Sequence, residues 1–208
     1  MTGGRVATEA GILCLSATGE GEGGADVVTT TDDGLVGQRM SWDDYWELPE
    51  ELHAEYVDGA AYVSPGPGYT HQKISLRLYD LLRAQLPGAD VIVAAGWTGV
   101  VPRTWLRIPD VAVLARPPDG ELITEAPVIA IEVLSSNRSD DRVRKYAEYF
   151  DAGAQQYWIV DPRDREVEVF SRGAGGWDSL ARLTEEAPES TVATSLGDVT
   201  LALAAILG

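Results

Sequence analysis

Cysteine is almost absent from this 208-residue chain, where Cys14 stands alone. A single thiol excludes an internal disulfide framework and any zinc site built on cysteines. Histidine occurs only twice, so metal chemistry here falls to oxygen ligands. No apolar run approaches the roughly 18 to 20 residues of a membrane-spanning helix. The stretch Gly11 to Leu15, preceded only by Arg5, is too short for a secretory signal. These absences lead to the expectation of a cytoplasmic protein with no membrane contact. Positive charge is scarce as well. Lysine occurs only as Lys73 and Lys145, and 16 Lys and Arg face 33 Asp and Glu, for a net charge of −17. Residues 1–40 hold six acids and two arginines, net −4, which leaves −13 on residues 41–208. Nucleic-acid binders usually carry a broad basic footprint that neutralises phosphates, so any phosphate-contacting patch in this chain is local.

What is present is the composition of a globular domain, 45% hydrophobic and 24% charged. Residues 1–38 are rich in Gly, Thr, Ala and acids, without a period of 2 or 3.6. Such a segment cannot bury enough surface to offset its ordering entropy, and a flexible acidic tail is expected there, followed by one domain over 39–208. Ser41 followed by Asp43 and Asp44 signals a short helix. Asp58-Gly59 sits between apolar runs as the turn of a hairpin. Thr70 can cap a helix that repeats Ile74, Leu78 and Leu82 until Pro87-Gly88. Apolar strands are expected at Asp90 to Ala95, Thr98 to Val101, Ile108 to Ala115, Val128 to Ser135, Gln155 to Val160 and Glu166 to Ser171. A helix capped by Ser136 or Ser139 runs to Gly153. Trp177 to Leu183 and Val199 to Leu203 close the chain, with a Ser/Thr-rich linker between them. The order indicates one mixed α/β domain.

The chemistry concentrates between Arg107 and Pro162. Two apolar strands carry one carboxylate each, Asp110 and Glu132, and a helix after them carries Lys145. Side-chain parity allows both carboxylates to face one side if the register permits. Two bare carboxylates about 4 Å apart repel by about 4 kcal/mol at an effective dielectric near 20. A shared proton, a nearby cation or a hard divalent ion such as Mg²⁺ or Mn²⁺ can answer that repulsion. The plainer alternative makes Asp110 a turn residue after Pro109 and pairs Glu132 with Arg107. On a helical wheel Lys145 lies with Asp141 and Tyr149, opposite Val143, Ala147 and Phe150, which reads as a solvated lysine paired with Asp141. His71 reads as a polar helix-start residue, with contact to phosphate or metal as the alternative. Gln155 and Gln156, just before a buried strand, can touch the site or serve as strand-edge amides, and Tyr149 and Trp158 read as core.

Several motifs together carry a resemblance: Glu55-x-x-Asp58-Gly59, His71, Arg107-x-Pro109-Asp110-Val111, Glu132-Val133-Leu134-Ser135, Asp141-x-x-x-Lys145-x-x-x-Tyr149 and Tyr157-Trp158-Ile159-Val160-Asp161-Pro162. Over about Ser41 to Ser171 the chain resembles the Uma family of restriction endonucleases, within the PD-(D/E)XK nuclease superfamily. The resemblance implies a restriction-endonuclease-like core, a central mixed sheet flanked by helices. It implies Mg²⁺ or Mn²⁺ held by Asp110, Glu132 and Val133, with Lys145 and Glu55 completing the catalytic set, and DNA as the substrate of a homodimer. The superfamily's usual lysine two residues after the second acid is Leu134 here, and the resemblance assigns its role to Lys145. That departure keeps open a catalytically weak or inactive dimeric binding module, and more remotely a hydrolase of small phosphate esters.

Overall fold

The computed structural model describes residues 27–29, 36–49, 52–63, 66–94, 96–99, 105–134 and 144–208. The first part of the chain contains β1 (Val27–Thr29), β2 (Val36–Arg39), α1 (Trp42–Tyr45), β3 (Ala54–Val57), β4 (Ala60–Val63) and α2 (Tyr69–Gln85). The middle contains β5 (Asp90–Val93), β6 (Trp97–Gly99), β7 (Trp105–Arg107), β8 (Val111–Leu114), β9 (Ile129–Val133) and α3 (Tyr146–Ala152). The last part contains β10 (Gln156–Asp161), β11 (Glu166–Arg172), β12 (Trp177–Leu183), β13 (Glu189–Thr194), β14 (Gly197–Ala202) and α4 (Leu203–Leu207).

The strands form two six-stranded sheets and one hairpin. The first sheet runs β1-β2-β4-β3-β7-β6, with every pair antiparallel. The second runs β12-β11-β10-β9-β8-β5 and is mixed, because β9 and β10 are parallel while its other pairs are antiparallel. A parallel pair needs a crossover, and α3 lies in that connection. The chain passes from the first sheet to the second through Ile108–Asp110, so the strand expected from Ile108 begins only at Val111. That crossing brings the carboxylates of both sheets close to one another.

The central strands β8, β9 and β10 of the mixed sheet are buried on both faces, as the apolar runs required. Ile74, Leu78 and Leu82 of α2 join Val111, Val113, Ile129, Ile131 and Val133 in one cluster. Ala112, Leu114, Ala130 and Leu134 face the other way, among Trp97, Tyr149 and Tyr157. Each fully buried Val, Ile or Leu contributes about 1.5–3 kcal/mol, so a one-residue slip that turned both faces over would be prohibitive. The register of the carboxylates is fixed by their apolar neighbours.

Local signals set the other elements. Ser41 accepts from the backbone of Asp44 while the Asp44 side chain accepts from Ser41 N–H, a capping box that starts α1. Asp58 and Gly59 take φ of 56° and 77°, the pair of positive values that a two-residue hairpin turn demands. Gly68, not Thr70, is the N-cap residue of α2, which starts two residues earlier than a cap at Thr70 would set it. Gly153, with φ of 100°, ends α3.

Two expectations change. The segment read as a Ser/Thr-rich linker contains β13, which pairs with β14 and buries Val192 in the core. The boundary drawn at residue 38 runs through β2, which pairs with β1 on one side and β4 on the other. The remainder of residues 1–38 lies outside the described residues, as do the proposed caps Ser136 and Ser139 and the expected partner Asp141.

Candidate active site at the junction of the two sheets

The β8–β9 ladder pairs Val111 with Ile131 and Ala112 with Ala130. Asp110 stands just before β8, outside that ladder and next to the residue paired with Ile131. Asp110 Oδ2 accepts the N–H of Val133 at 2.7 Å, so the last amide of β9 is satisfied by a side chain where β8 has not yet begun. The same oxygen lies 3.0 Å from Nε2 of His71, in the first turn of α2. In an extended strand the N–H and carbonyl of one residue point to the same side. The carbonyl of Val133 is therefore directed toward Asp110 as well.

Glu132 is buried in an apolar strand, with its side chain 3% exposed. A lone carboxylate there would cost several kcal/mol. Two donors from α3 hold it: the Lys145 ammonium at 3.0 Å from Oε2 and the Tyr149 hydroxyl at 2.6 Å from Oε1. Lys145 is also 3.3 Å from Oε1 of Glu55, on β3 of the first sheet. The helical-wheel expectation for Lys145 is overturned, since the residue is buried at 6% exposure while Ala147 is exposed. The reason is Tyr149, whose ring packs between Trp97 and Tyr157 and turns the Lys145–Tyr149 stripe inward.

A second cation completes the cluster. Arg107, 1% exposed, donates from NH1 to Glu55 Oε2 at 2.8 Å and from Nε to Glu148 Oε2 at 2.7 Å. The Ile108 N–H gives Glu55 Oε1 another bond at 2.9 Å. Charges thus alternate in space as Glu148, Arg107, Glu55, Lys145, Glu132. At an effective dielectric near 20 each contact near 3 Å supplies about 5 kcal/mol of attraction, which stands against a desolvation penalty of several kcal/mol per buried ion.

Two ionisable groups feel these surroundings. Burial raises the Glu55 carboxyl, but Lys145, Arg107 and the Ile108 amide together outweigh it and hold the pKa down to about 2. For Tyr149 burial and then the Glu132 charge push the phenol well above its ordinary value of 10, with only Lys145 opposing. Tyr149 is thus a neutral donor.

All four side chains that sequence reasoning named, Glu55, Asp110, Glu132 and Lys145, lie at this junction. Glu132, Lys145 and Glu55 touch directly, and Asp110 joins through the amide next to Glu132. Sequence reasoning missed Arg107 as a member in its own right, together with Glu148 and the Tyr149 hydroxyl. The signal for Arg107 was a charge inside the apolar run Trp105-Leu106-Arg107-Ile108. Glu148 and Tyr149 stand three and four residues after Lys145, on its own helix face. Trp158 is core, as expected, and Gln156 is a buried tie: it accepts from Trp158 Nε1 and donates to the Ala193 carbonyl. Arg116 and Asp119 pair in the loop after β8, away from these groups.

The family model described as "Uma2: Putative restriction endonuclease" matches residues 42–204. This chain belongs to the Uma2 family. Among solved structures the chain is similar to one titled "Crystal structure of a putative nuclease belonging to DUF820", from Anabaena variabilis ATCC 29413. The TM-score is 0.62 at 22% identity, over 79% of this chain and 96% of the other. That likeness carries the fold: a nuclease fold of mixed α and β structure. A search of curated proteins finds no match. In this Uma2 member Leu134, two residues after Glu132, is a buried core residue.

Proposed function

We propose that this protein is a Mg²⁺- or Mn²⁺-dependent endonuclease that hydrolyses phosphodiester bonds in DNA, with Asp110, Glu132, Lys145 and Glu55 as its working residues. Membership of a nuclease family supports the reaction class. The observation that carries the site is Lys145, brought by α3 to Glu132 and Glu55 when periodicity alone would have left it in solvent.

The donor set can be tested against a metal. Among the described residues no three His, Cys, Asp or Glu side chains converge as a ready-made ion cage. Carboxylates and a main-chain carbonyl are nevertheless donors that suit Mg²⁺, which keeps several waters and takes one or two carboxylates plus substrate phosphate. Asp110, Glu132 and the carbonyl of Val133 would hold the ion. A hard divalent cation bound there supplies Lewis acidity toward a phosphoryl oxygen and lowers the pKa of water.

The protein's own groups have distinct tasks. Lys145 presents a fixed positive charge beside Glu132, where it can stabilise charge that develops on the phosphate. Glu55 and Arg107 keep the ammonium in place, so Glu55 acts on Lys145 rather than on substrate. His71 and the Val133 amide fix the carboxylate of Asp110.

Plasmid nicking tests the reading. Cleavage is expected with Mg²⁺ or Mn²⁺, none with EDTA, and loss in Asp110→Ala and Glu132→Ala. Equal background cleavage in all three proteins overturns it.

A second reading, a catalytically weak dimeric binding module of the same fold, is favoured by Leu134 and by the acidic balance of the domain. DNA binding without metal-dependent nicking would select it. The homodimer and the cytoplasmic setting belong to both readings. Tyr69 and Leu76, exposed on one side of α2, support a second copy as partner, and sedimentation as a monomer at micromolar concentration removes that element. Among the described residues no helix is long and apolar enough to cross a membrane.

A further inference from the structure

One rung of the first sheet carries Gly37, Tyr62 and Glu55, on β2, β4 and β3 in turn. Residues directly opposite one another share a face of a sheet, so the Tyr62 ring and the Glu55 carboxylate are neighbours. Glycine on this rung makes room for the ring, since a Cβ on Gly37 would lie 2.8 Å from Cε1 of Tyr62. Two consecutive cations meet this rung from the turn that leads into α3. The Lys145 ammonium is 3.3 Å from Glu55 Oε1, and the guanidinium carbon of Arg144 is 4.9 Å from the centre of the Tyr62 ring. Successive residues of a helical turn point about 100° apart, which lets one enter the buried cluster while the other stays at its rim. Lys145 is accordingly buried and Arg144 partly exposed.

The two cations differ in their surroundings. Lys145 belongs to a buried cluster in which Glu55, Glu132 and Glu148 face Lys145 and Arg107. That cluster is net negative, so by itself it repels a strand of phosphates. Arg144 stands beside it on an aromatic ring. Stacking engages the face of a guanidinium, while its five N–H donors lie in its plane, in a fork that matches phosphate oxygens. A side chain seated on a ring also loses less rotamer freedom when it binds. We infer that Arg144, seated on Tyr62, contacts a backbone phosphate of the DNA strand beside the cleaved bond and supplies attraction that the acidic cluster lacks. Gly37 and Tyr62 are then positioning residues, since they build the seat. This inference rests on DNA as the substrate.

The test is fluorescence anisotropy of a dye-labelled DNA duplex across a salt series, with EDTA to keep the duplex intact, for the wild type, Arg144→Gln and Arg144→Lys. Arg144→Gln is expected to bind about tenfold more weakly, the scale of one charge-assisted hydrogen bond, and equally so on duplexes of different sequence. Its slope of log affinity against log salt is expected to be shallower by about one unit. Arg144→Lys, which keeps the charge, is expected to keep the slope. A purely structural role for Arg144 would lower the melting temperature of Arg144→Gln and leave the slope as it is, which overturns the inference and spares the nuclease reading. A loss confined to some sequences, at unchanged slope, assigns Arg144 to a base and overturns it too. A wild type that neither binds nor nicks DNA overturns both. Should Arg144→Gln not fold, Tyr62→Phe and Tyr62→Leu decide. The first keeps the ring and is expected to bind as the wild type does, and the second to bind more weakly; equal binding by the two overturns the inference.

Discussion

The ammonium of Lys145 lies 3.0 Å from Oε2 of Glu132 and bridges to Glu55 on the other sheet, so one cation ties α3 to both sheets at once. Its removal leaves two carboxylates short of a partner in a site that water barely reaches. Lys145→Met is expected to destabilise the fold by about 3 kcal/mol, the lower end for breaking a buried pair, and to abolish nicking. Urea denaturation followed by circular dichroism measures the first effect. A variant within 0.5 kcal/mol of wild type, on the order of a surface substitution, would show that Lys145 holds nothing.

Glu55 links this cluster to pH. Its folded pKa of about 2 lies below the ordinary value of 4.5. The unfolded chain therefore binds the proton more readily, and the stabilisation from Glu55 is complete above pH 4.5. It is lost as pH falls from there through about 2. A shift of this size corresponds to about 3 kcal/mol. Glu55→Gln is expected to be less stable at pH 7 and to show a shallower acid limb. Denaturation midpoints at pH 3, 4, 5 and 7 check it; parallel curves for wild type and variant would rule it out.

Asp110 has two tasks that substitution can separate. It accepts the Val133 amide, a structural bond, and it offers a charge, which the proposed chemistry needs. Asp110→Asn keeps an acceptor oxygen and is expected to hold stability within about 1 kcal/mol, whereas Asp110→Ala leaves the amide of Val133 unsatisfied at about 1–3 kcal/mol. Both are expected to lose Mg²⁺-dependent nicking. An active Asp110→Asn would take the carboxylate out of the reaction.

Sequence periodicity made some of this geometry legible and hid the rest. The double burial of β8 and β9 could be read because their apolar runs leave neither parity polar except at Glu132. The orientation of Lys145 could not. The wheel gives Phe150 to the core by hydrophobicity, whereas Tyr149, a core residue by type as expected, is the one fully buried and gives its hydroxyl to Glu132. A polar handle that finds a partner makes tyrosine a core residue. β13 was illegible for a related reason: five of its six side chains stay outside full burial and only Val192 reaches the core, so composition spoke for a linker.

Gln156 is the clearest test of how that hairpin is held. Its side chain accepts from Trp158 Nε1 at 3.0 Å and donates to the Ala193 carbonyl at 2.6 Å, joining β10 to β13. Gln156→Leu preserves volume but deprives two groups of their partner. The expected loss is about 1–3 kcal/mol for each group left unsatisfied out of reach of water. Hydrogen exchange adds position to magnitude: amides of β13 and β14 are expected to lose protection before those of β9 and β10. Uniform loss across the sheet would mean that the hairpin and the sheet open as one unit.

The charge balance bears on how DNA could be held. Arg107 and Lys145 are engaged with buried carboxylates, and Arg116, Arg165 and Arg182 pair with acids at the surface. In a domain of net −13 such pairing among the described residues favours few phosphate contacts. Counterion release then predicts a shallow salt dependence, with log affinity against log salt falling at a slope of about −3 or less steeply, as for about three neutralised phosphates. Lys73, exposed on α2 two residues from His71, is the residue expected to shift it. Lys73→Ala is expected to weaken binding uniformly across DNA sequences and to reduce the slope by about one unit. Fluorescence anisotropy between 50 and 200 mM salt, on the order of the range over which phosphate contacts are read, measures both. A steep slope that Lys73→Ala leaves untouched would place the phosphate contacts elsewhere on the surface.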